Sequence, residues 1–455
     1  MRRNNWIRCA LALSSLLPVL VYAETVQLDI DQARERAYNT DPRISEKEKL
    51  VDAARGLLDE ARGAESWIYD VNAFMGLAPD IKGGIFEDNE GNINIDGDAL
   101  DFDGVSPWYN LQFQIIYPFS TMGKAESYAE AAENNIKVQN GEVSLQQATT
   151  YIDVTRAYYG YLAARDAALM VESSKKTVND AIGMVEDWLA DGEGNGNVKQ
   201  SDLFALQAGL GLLNRFLAES RALQQIALAG LKMLTGLEAG TQVDVIDSRL
   251  QPVALPEETL EQLQKRALEQ RPEMMQVEAG MKARRALLDA KTAEKYPNFY
   301  TGVVGSIAYS PNRPQLDNIS IYDPFNHAGA TPVIGLKWDW WTGRQRGQVT
   351  QAQGQYDAIV EKKSFALMGI PFQVEEQYHQ VHAYRKMADS MYDAARAARR
   401  WMVASFADFE AGIEEPSRVM EAFQAYVLAY ADYLRIVNDY NLHVARLQVV
   451  TGDVK

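Results

Sequence analysis

The chain has very little cysteine and histidine: Cys9 is the only cysteine, and four histidines occur among 455 residues. This scarcity excludes a disulfide scaffold and a cysteine-rich zinc or iron–sulfur module. Basic residues are also in deficit, because 45 Lys and Arg face 62 Asp and Glu and leave a net charge of −17 at pH 7. Nucleic acids are bound by basic faces, so this balance excludes a nucleic-acid partner. A hydrophobic content of 47% still predicts a folded chain.

Long apolar runs are missing as well, except for a short one close to the N-terminus. Arg2, Arg3 and Arg8 precede an apolar stretch that ends at Ala23. A basic start, a short apolar core and small residues before the cleavage point are typical of a secretory signal peptide. The alternative, a transmembrane anchor, requires a stretch of about 20 residues. We therefore expect residues 1–23 to be a signal peptide, and a β-barrel is then the remaining way for the mature chain to span a membrane.

The mature sequence contains an internal repeat. After Asp41-Pro42 and Arg271-Pro272, five residues recur at one constant offset, and both copies later end in Leu-x-x-x-Thr-Gly, at Gly236 and Gly452. The five matched positions are Ala53, Arg55, Leu57, Leu58 and Asp59 in the first copy and Ala283, Arg285, Leu287, Leu288 and Asp289 in the second. A duplication of this period predicts two similar units of about 200 residues. We expect repeats over residues 24–240 and 257–455, with a mid-height linker over residues 241–256.

Each repeat has the same predicted order of elements. A helix comes first (residues 30–64 and 257–295), then a pair of strands (residues 67–120 and 298–343), then a long helical hairpin (residues 124–234 and 344–450). The strands are predicted from period-two apolar alternation, as in Tyr69, Val71, Ala73, Met75 and Leu77. The acidic stretch over residues 78–107 is expected to be a loop.

The helical hairpins are unusually long. Residues 124–190 contain no proline, and 67 helical residues would reach roughly 100 Å at about 1.5 Å per residue. Residues 344–408 are of similar length, with a kink expected at Pro371. The last helix carries apolar residues and tyrosines at alternating spacings of four and three, which is typical of a coiled-coil seam. The seam consists of Val419, Phe423, Tyr426, Tyr430, Tyr433, Val437, Tyr440, Val444 and Leu447.

Four strands in one chain cannot close a membrane barrel, since such barrels need at least about eight. Several copies must therefore share a barrel, and three copies would supply twelve strands. The sequence thus predicts a mainly α protein with a β-barrel segment.

The order and duplication of several short motifs resemble the TolC-like outer-membrane efflux proteins over residues 29–452. The motifs are Arg271-Pro272-Glu273, the segment from Ala283 to Ala290, Tyr296-Pro297-Asn298 before a strand, two helix-turn signatures (Gly196 with Ser201, Asp202 and Leu203; Phe406 with Gly412 and Ser417) and the two Thr-Gly endings. The resemblance implies a homotrimer with one twelve-stranded barrel in the outer membrane and a periplasmic α-barrel of coiled-coil hairpins. It also implies an exit duct that docks onto a periplasmic adaptor and onto an inner-membrane transporter or a type I secretion machine.

The resemblance assigns roles to residues at the turns of the helical hairpins. Gly196, Ser201, Asp202, Gly412 and Ser417 would form the adaptor-docking tips; the alternative is an ordinary solvated turn. The tunnel gate would lie nearby, at positions matching Arg418 and Glu421, with Asp408 and Glu414 keeping the region acidic. The family's first acidic position is Arg418 here, and an i,i+3 pair between Arg418 and Glu421 would neutralise the gate.

Aromatic residues are expected at the ends of the strands. Barrels carry aromatic girdles at both membrane interfaces, and the alternative is a buried aromatic core. The predicted girdle consists of Trp67, Trp108, Tyr117, Trp338, Trp340 and Trp341.

No nucleotide-binding or catalytic motif is present in the sequence, so neither an enzyme activity nor a cofactor is predicted. Glu376, His379 and His382 could share one helical face as metal ligands, but a solvated helix face is the simpler interpretation. The competing functional hypothesis is a structural periplasm-spanning coiled-coil protein or adhesin without a conduit. The paired alternating strands favour the duct, because a strut needs no membrane barrel.

Overall fold

The computed structural model describes residues 25–82, 85–87, 93–95, 101–190, 198–311, 313, 322–339 and 342–454. The expected signal peptide, residues 1–23, lies outside this part. The described residues are mostly helical. In chain order, their elements are β1 (Val26–Leu28), α1 (Ile30–Thr40), α2 (Pro42–Gly63), β2 (Ile68–Lys82), β3 (Ile85–Glu87), β4 (Ile93–Ile95), β5 (Asp101–Ser120), α3 (Lys124–Ala190), α4 (Gln200–Leu234), β6 (Val243–Val245), α5 (Leu260–Gln270), α6 (Pro272–Ala293), β7 (Asn298–Tyr309), β8 (His327–Lys337), α7 (Thr342–Glu410) and α8 (Pro416–Val450).

The helices that open the two repeats are each divided in two. Single helices were expected over residues 30–64 and 257–295, but each of these segments forms two helices, so the expectation is wrong. The breaks fall at Asp41 (φ −70°, ψ 113°) and Arg271 (φ −69°, ψ 131°), directly before Pro42 and Pro272. A proline ring clashes with a helical residue before it, so that residue becomes extended, and the proline then starts a new helix.

The long helices follow the expected course. Helix α3 covers residues 124–190, and α7 continues through Pro371 without ending there. The seam of α8 lies in the core, where Phe423, Val437 and Tyr440 are almost completely buried. No helix in the described ranges is both long and apolar enough to cross a membrane.

The main sheet is antiparallel and has the strand order β2-β5-β7-β8. Each repeat contributes one hairpin, and β5 pairs with β7 to join them. The loop expected over residues 78–107 is wrong at both ends, because β2 continues to Lys82 and β5 already begins at Asp101. The backbones of β2 and β5 stay paired beyond the segment whose side chains alternate clearly between apolar and polar. A bulge interrupts the pairing there, and Gly104 in the bulge adopts φ +127°. Strands β3 and β4, which lie between β2 and β5 in the sequence, pair with each other in an antiparallel manner.

The described chain divides into two compact units, and each draws on both sequence repeats. One contains residues up to 41 together with 150–256 and 379–446; its core is formed by α1, α3, α4, α7 and α8 around the parallel pair β1–β6. The other contains residues 42–149, 257–378 and 447–455, and includes α2, α5, α6 and the four-stranded sheet.

The Thr-Gly endings of the two repeats form the same helix cap. Gly236 and Gly452 adopt φ +65° and +75°, a conformation that favours glycine. In each case, backbone N–H groups bond back to the last turn in the Schellman pattern. The preceding Thr235 and Thr451 are buried and donate to the carbonyls of Leu231 (2.7 Å) and Leu447 (2.9 Å). The repeated motif is thus explained by a repeated C-cap.

Candidate functional site

The four-stranded sheet has two chemically different faces. Directly paired residues share a face, so the registers assign every side chain to one side. One face contains no charged residue within the paired segments. It consists of Tyr69, Val71, Ala73, Met75 and Leu77 from β2, Pro107, Tyr109, Leu111, Phe113, Ile115 and Tyr117 from β5, Phe299, Thr301, Val303, Gly305, Ile307 and Tyr309 from β7, and Ala328, Ala330, Pro332, Ile334 and Leu336 from β8. We call this the apolar face.

The apolar face is uncovered in the single chain. Met75 is 72% exposed and Ile334 is 81% exposed. A contiguous apolar surface of this extent is unfavourable in water and marks a contact with lipid or protein. The opposite face, which we call the polar face, carries Asp70, Asn72, Gln112, Gln114 and Ser306 among other residues. An apolar outside and a polar inside are what a membrane barrel requires.

Aromatic residues lie at both ends of the apolar face. At the end next to the helices, the rings of Trp67 and Tyr117 are 5.4 Å apart. At the far end, Tyr109 is paired directly with Tyr309. Eight steps along β5 separate Tyr117 from Tyr109, roughly 26 Å at about 3.3 Å per residue. The uncharged apolar face therefore extends over this length between two aromatic ends.

Four of the six predicted girdle residues lie in the described part of the chain, and their role at a membrane interface stays a prediction. Trp338 follows β8, at the same end as Trp67, and its indole N–H donates to the Lys295 carbonyl at 3.0 Å. Trp340 and Trp341 lie outside the described residues. Trp108 does not fit the girdle, because it lies within β5 on the polar face. Its ring packs 5.5 Å from Phe74 and 5.6 Å from Phe325.

The alternation of side chains along β5 explains why Trp108 lies on the polar face and why Tyr109 lies on the apolar face. Trp108 and Tyr117 are an odd number of positions apart in the sequence, so a regular strand places them on opposite faces. Tyr109 and Tyr309 were missing from the predicted girdle, although Tyr109 has the parity of Tyr117. The pairing with Tyr309 comes from β7 and could not be read from either strand alone.

The predicted docking residues lie at the starts and ends of helices. Ser201 is exposed in the first turn of α4, where the Asp202 carboxylate accepts from the Lys199 N–H at 2.8 Å. Gly412 adopts φ +73° and ends α7 with the same cap as the Thr-Gly endings. Ser417 is exposed at the start of α8. Gly196 lies outside the described residues. The role of these residues in docking stays a prediction.

Three of the four predicted gate residues form an ion-pair network at the start of α8. Arg418 Nη1 lies 3.2 Å from Glu421 Oε2, so the expected i,i+3 pair is present. Arg418 Nε also lies 3.6 Å from Glu414 Oε1. Asp408 is exposed at the end of α7, and its carbonyl accepts from the N–H of Ile413 at 2.8 Å. One guanidinium therefore serves two carboxylates on a solvent-exposed helix start.

The turn that carries these residues rests on an aromatic core. Phe409 is fully buried, and its ring lies 5.1 Å from Trp188 at an edge-to-face angle of 60°. Phe406 packs beside them, 6.3 Å from Phe409. Edge-to-face aromatic packing fixes the orientation of the elements that carry the rings. The ends of α3 and α7 are therefore held together directly below the predicted docking residues.

A family model described as outer membrane efflux protein matches residues 263–453. Residues 263–453 are thus similar to the outer membrane efflux protein family. The matched segment begins within α5 and ends just after α8, so it includes β7, β8 and the Arg418 network. No curated protein matches the sequence significantly.

Solved outer membrane proteins share the fold over nearly the whole chain. The CmeC outer membrane channel of Campylobacter jejuni has a TM-score of 0.72 at 11% identity, covering 99% of this chain and 94% of that chain. The outer membrane protein VceC of Vibrio cholerae has a TM-score of 0.71 at 14% identity, covering 93% of this chain and 96% of that chain. The open state of the MtrE outer membrane channel of Neisseria gonorrhoeae has a TM-score of 0.70 at 14% identity, covering 93% of this chain and 88% of that chain.

Proposed function

We propose that the chain is the outer-membrane exit duct of a tripartite efflux system or a type I secretion system. The observation that carries the proposal is the sheet with one uncharged apolar face, bounded by aromatic residues at both ends. The family of residues 263–453 supports the same function. The duct would be passive, so the energy for transport comes from a partner in the inner membrane.

The proposed duct is a homotrimer. In the described sheet, β2 and β8 are edge strands that each pair on one side only. Open edges are avoided in membranes, because unpaired backbone groups cannot reach water there. Joining β8 of one copy to β2 of the next removes both edges, and three copies give a closed barrel of twelve strands. The apolar face would contact outer-membrane lipid and the polar face would line the duct.

We further propose that the helix turns dock a periplasmic adaptor. Ser201, Asp202, Gly412 and Ser417 are held at the ends of long helices on the rigid core of Trp188 and Phe409. Near them, Arg418, Glu414, Glu421 and Asp408 would form the tunnel gate. Rings of carboxylates favour cations, and Arg418 lowers that preference by pairing two of them in each copy. Secretion to this location would use the expected signal peptide.

The test compares one arginine on each face of the same strand. Val71→Arg places a charge on the proposed lipid face, because Val71 pairs with Phe113, midway between Tyr109 and Tyr117. The cost is about 2–4 kcal/mol near the bilayer centre. Asn72→Arg is the matched control, since Asn72 lies on the polar face of β2. Outer-membrane fractionation and heat-modifiable gel mobility are measured for both. We expect Val71→Arg to be lost from the membrane fraction and Asn72→Arg to remain.

Equal behaviour of the two variants would overturn the assignment of the faces. Recovery of the unaltered protein outside the outer membrane would instead favour the strut or adhesin hypothesis. Discrete conductance of the purified oligomer in planar bilayers then separates a duct from a membrane-anchored strut.

A further inference from the structure

The polar face of the sheet is buried only at the end away from the helices. Ser106 is 0% exposed and Asn110 is 7% exposed, whereas Gln112 and Asn72 on the same face are exposed. Asn110 and Gln112 are consecutive residues of that face on one strand, so the change is abrupt. The lining of a wide duct should be uniformly wet. Something therefore covers the outer end of this face.

The cover consists of Arg313 and residues 322–326, which follow β7 and precede β8. The ring of Phe325 lies 5.6 Å from the ring of Trp108 on the polar face. The guanidinium carbon of Arg313 lies 4.1 Å from the centre of the Phe325 ring, on which it stacks. The same guanidinium donates to the carbonyl of Pro79 in β2 at 2.7 Å. Arg313 thus ties the cover to a strand of the other hairpin.

Short hydrogen bonds hold the cover in one conformation. The buried Asp323 carboxylate accepts from the N–H groups of Phe325 (2.9 Å) and Asn326 (3.2 Å), and an acidic side chain bonded in this way stabilises a turn. Asn326 accepts from the Ser310 N–H at 2.8 Å and donates to the Arg313 carbonyl at 3.3 Å. His327 donates to the Asp323 carbonyl at 2.8 Å. The cover is therefore a built part of the sheet end.

We propose that Arg313 and residues 322–326 form a constriction inside the outer mouth of the duct and determine the size of the molecules that leave it. The inference rests on the proposed function, because it requires the polar face to line a duct. Three copies of the cover would project from the wall at the same level. Phe325, held between the Arg313 guanidinium and the Trp108 ring, is the residue that sets the width.

The test uses two cysteine reporters in a Cys9→Ser background, which has no other cysteine. Asn110→Cys lies under the cover and Gln112→Cys lies just beyond it. Intact cells are treated with a small membrane-impermeant thiol reagent and, separately, with a bulky polymer-linked maleimide. We expect the small reagent to label Gln112→Cys faster than Asn110→Cys, and the bulky reagent to label neither.

Opening the constriction should remove the difference in labelling rate between the two reporters and the difference between the small and the bulky reagent. With Arg313→Ala and Phe325→Ala added, we expect Asn110→Cys to react at the rate of Gln112→Cys and the bulky reagent to reach both reporters. Tyr309→Ala is the control, because it removes a ring at the same level from the apolar face. The control should leave every labelling rate unchanged. An oligomer of unaltered gel mobility verifies folding, and Ser106→Cys serves as a second buried reporter.

Failure of the inference and failure of the proposed function give different results. Equal labelling of the two reporters behind an unaltered cover would overturn the constriction, as would bulky-reagent labelling that ignores Arg313 and Phe325. No labelling of Gln112→Cys in intact cells, together with rapid labelling of the purified protein, would show that the polar face does not open to the outside. That result contradicts the proposed duct itself.

Discussion

At the scale of single residues, Arg418 controls the charge of the helix start that carries the proposed gate. It pairs with Glu414 and Glu421, and all three side chains are partly or largely exposed. Exposed pairs contribute little to folding stability, about 0–1 kcal/mol each. The effect of Arg418 should therefore be found in ion selectivity rather than in stability.

Arg418→Ala is expected to raise the cation selectivity of the purified channel, because it leaves two carboxylates per copy unpaired. The reversal potential of planar-bilayer currents under a salt gradient measures this change. Arg435→Ala is a matched control: Arg435 also bridges two carboxylates on α8, those of Asp432 (2.6 Å) and Asp439 (3.7 Å). Equal shifts from both variants would mean that the helix start is no selectivity filter.

Glu294, at the end of α6, connects α6 to α3 where the helices meet the sheet. Its carboxylate accepts from Tyr128 on α3 and pairs with Lys291 on α6, each at 2.7 Å. Burial alone would raise the pKa of Glu294, but the bonds from Lys291 and Tyr128 outweigh it and hold the pKa below the usual 4.5. A lowered carboxyl pKa contributes stability above its ordinary value, and this stability is lost as the pH falls through the lower, folded value.

We therefore expect Glu294→Gln to lower the thermal stability of the oligomer at pH 7, by about 0.5–1 kcal/mol after screening by solvent. The difference from the unaltered protein should shrink below pH 4.5. Melting curves at pH 7, 5 and 3.5 measure it. A difference that stays constant over this range would show that the charge of Glu294 is not the cause.

At the scale of elements, the sheet depends on glycines where neighbouring strands approach closely. A Cβ at Gly302 of β7 would lie 2.1 Å from the carbonyl oxygen of Ile115 in β5, and backbone cannot move aside as a side chain can. At Gly335 of β8, a Cβ would meet the ring of Tyr300 at 2.5 Å. Aromatic rings lying over cross-strand glycines are a known means of fixing strand register.

Gly302→Ala is expected to destabilise the pairing of the two hairpins by about 1–3 kcal/mol, the usual cost of overpacking. Gly329→Ala on the same face is the control, since a Cβ there meets nothing within 4 Å. The temperature at which the oligomer dissociates on a gel reports the difference. Equal temperatures for the two variants would contradict the tight β5–β7 approach.

The sequence predicted the elements whose pattern is local and regular. The proline-free stretch predicted α3 with the bounds that it has, and alternation located both hairpins. The breaks at Asp41 and Arg271 could also have been predicted, because a proline follows each of these residues. The cover over Trp108 could not be predicted, because Arg313, Pro79 and Phe325 are distant in sequence and meet only through tertiary contacts.

At the scale of the whole molecule, the proposed trimer would complete a sheet that the single chain leaves open. The described sheet has two open edges and an uncovered apolar face. We expect native mass spectrometry of the detergent-extracted protein to give the mass of three mature copies, because twelve strands close a barrel and four do not. A stable monomer in lipid would contradict the shared barrel.

The alternation of apolar and polar side chains along β2 and β5 also has a consequence for the proposed export of the chain. Membrane insertion machinery recognises a stretch of about 19 consecutive residues that is apolar throughout, and the polar side chains at every second position of these strands interrupt any such stretch. For the proposed duct, we therefore expect passage through the inner membrane without arrest as a helix, with the apolar face forming only when the strands pair. Unpaired strand edges and apolar side chains aggregate easily, so we expect the unpaired chain to need shielding before it inserts.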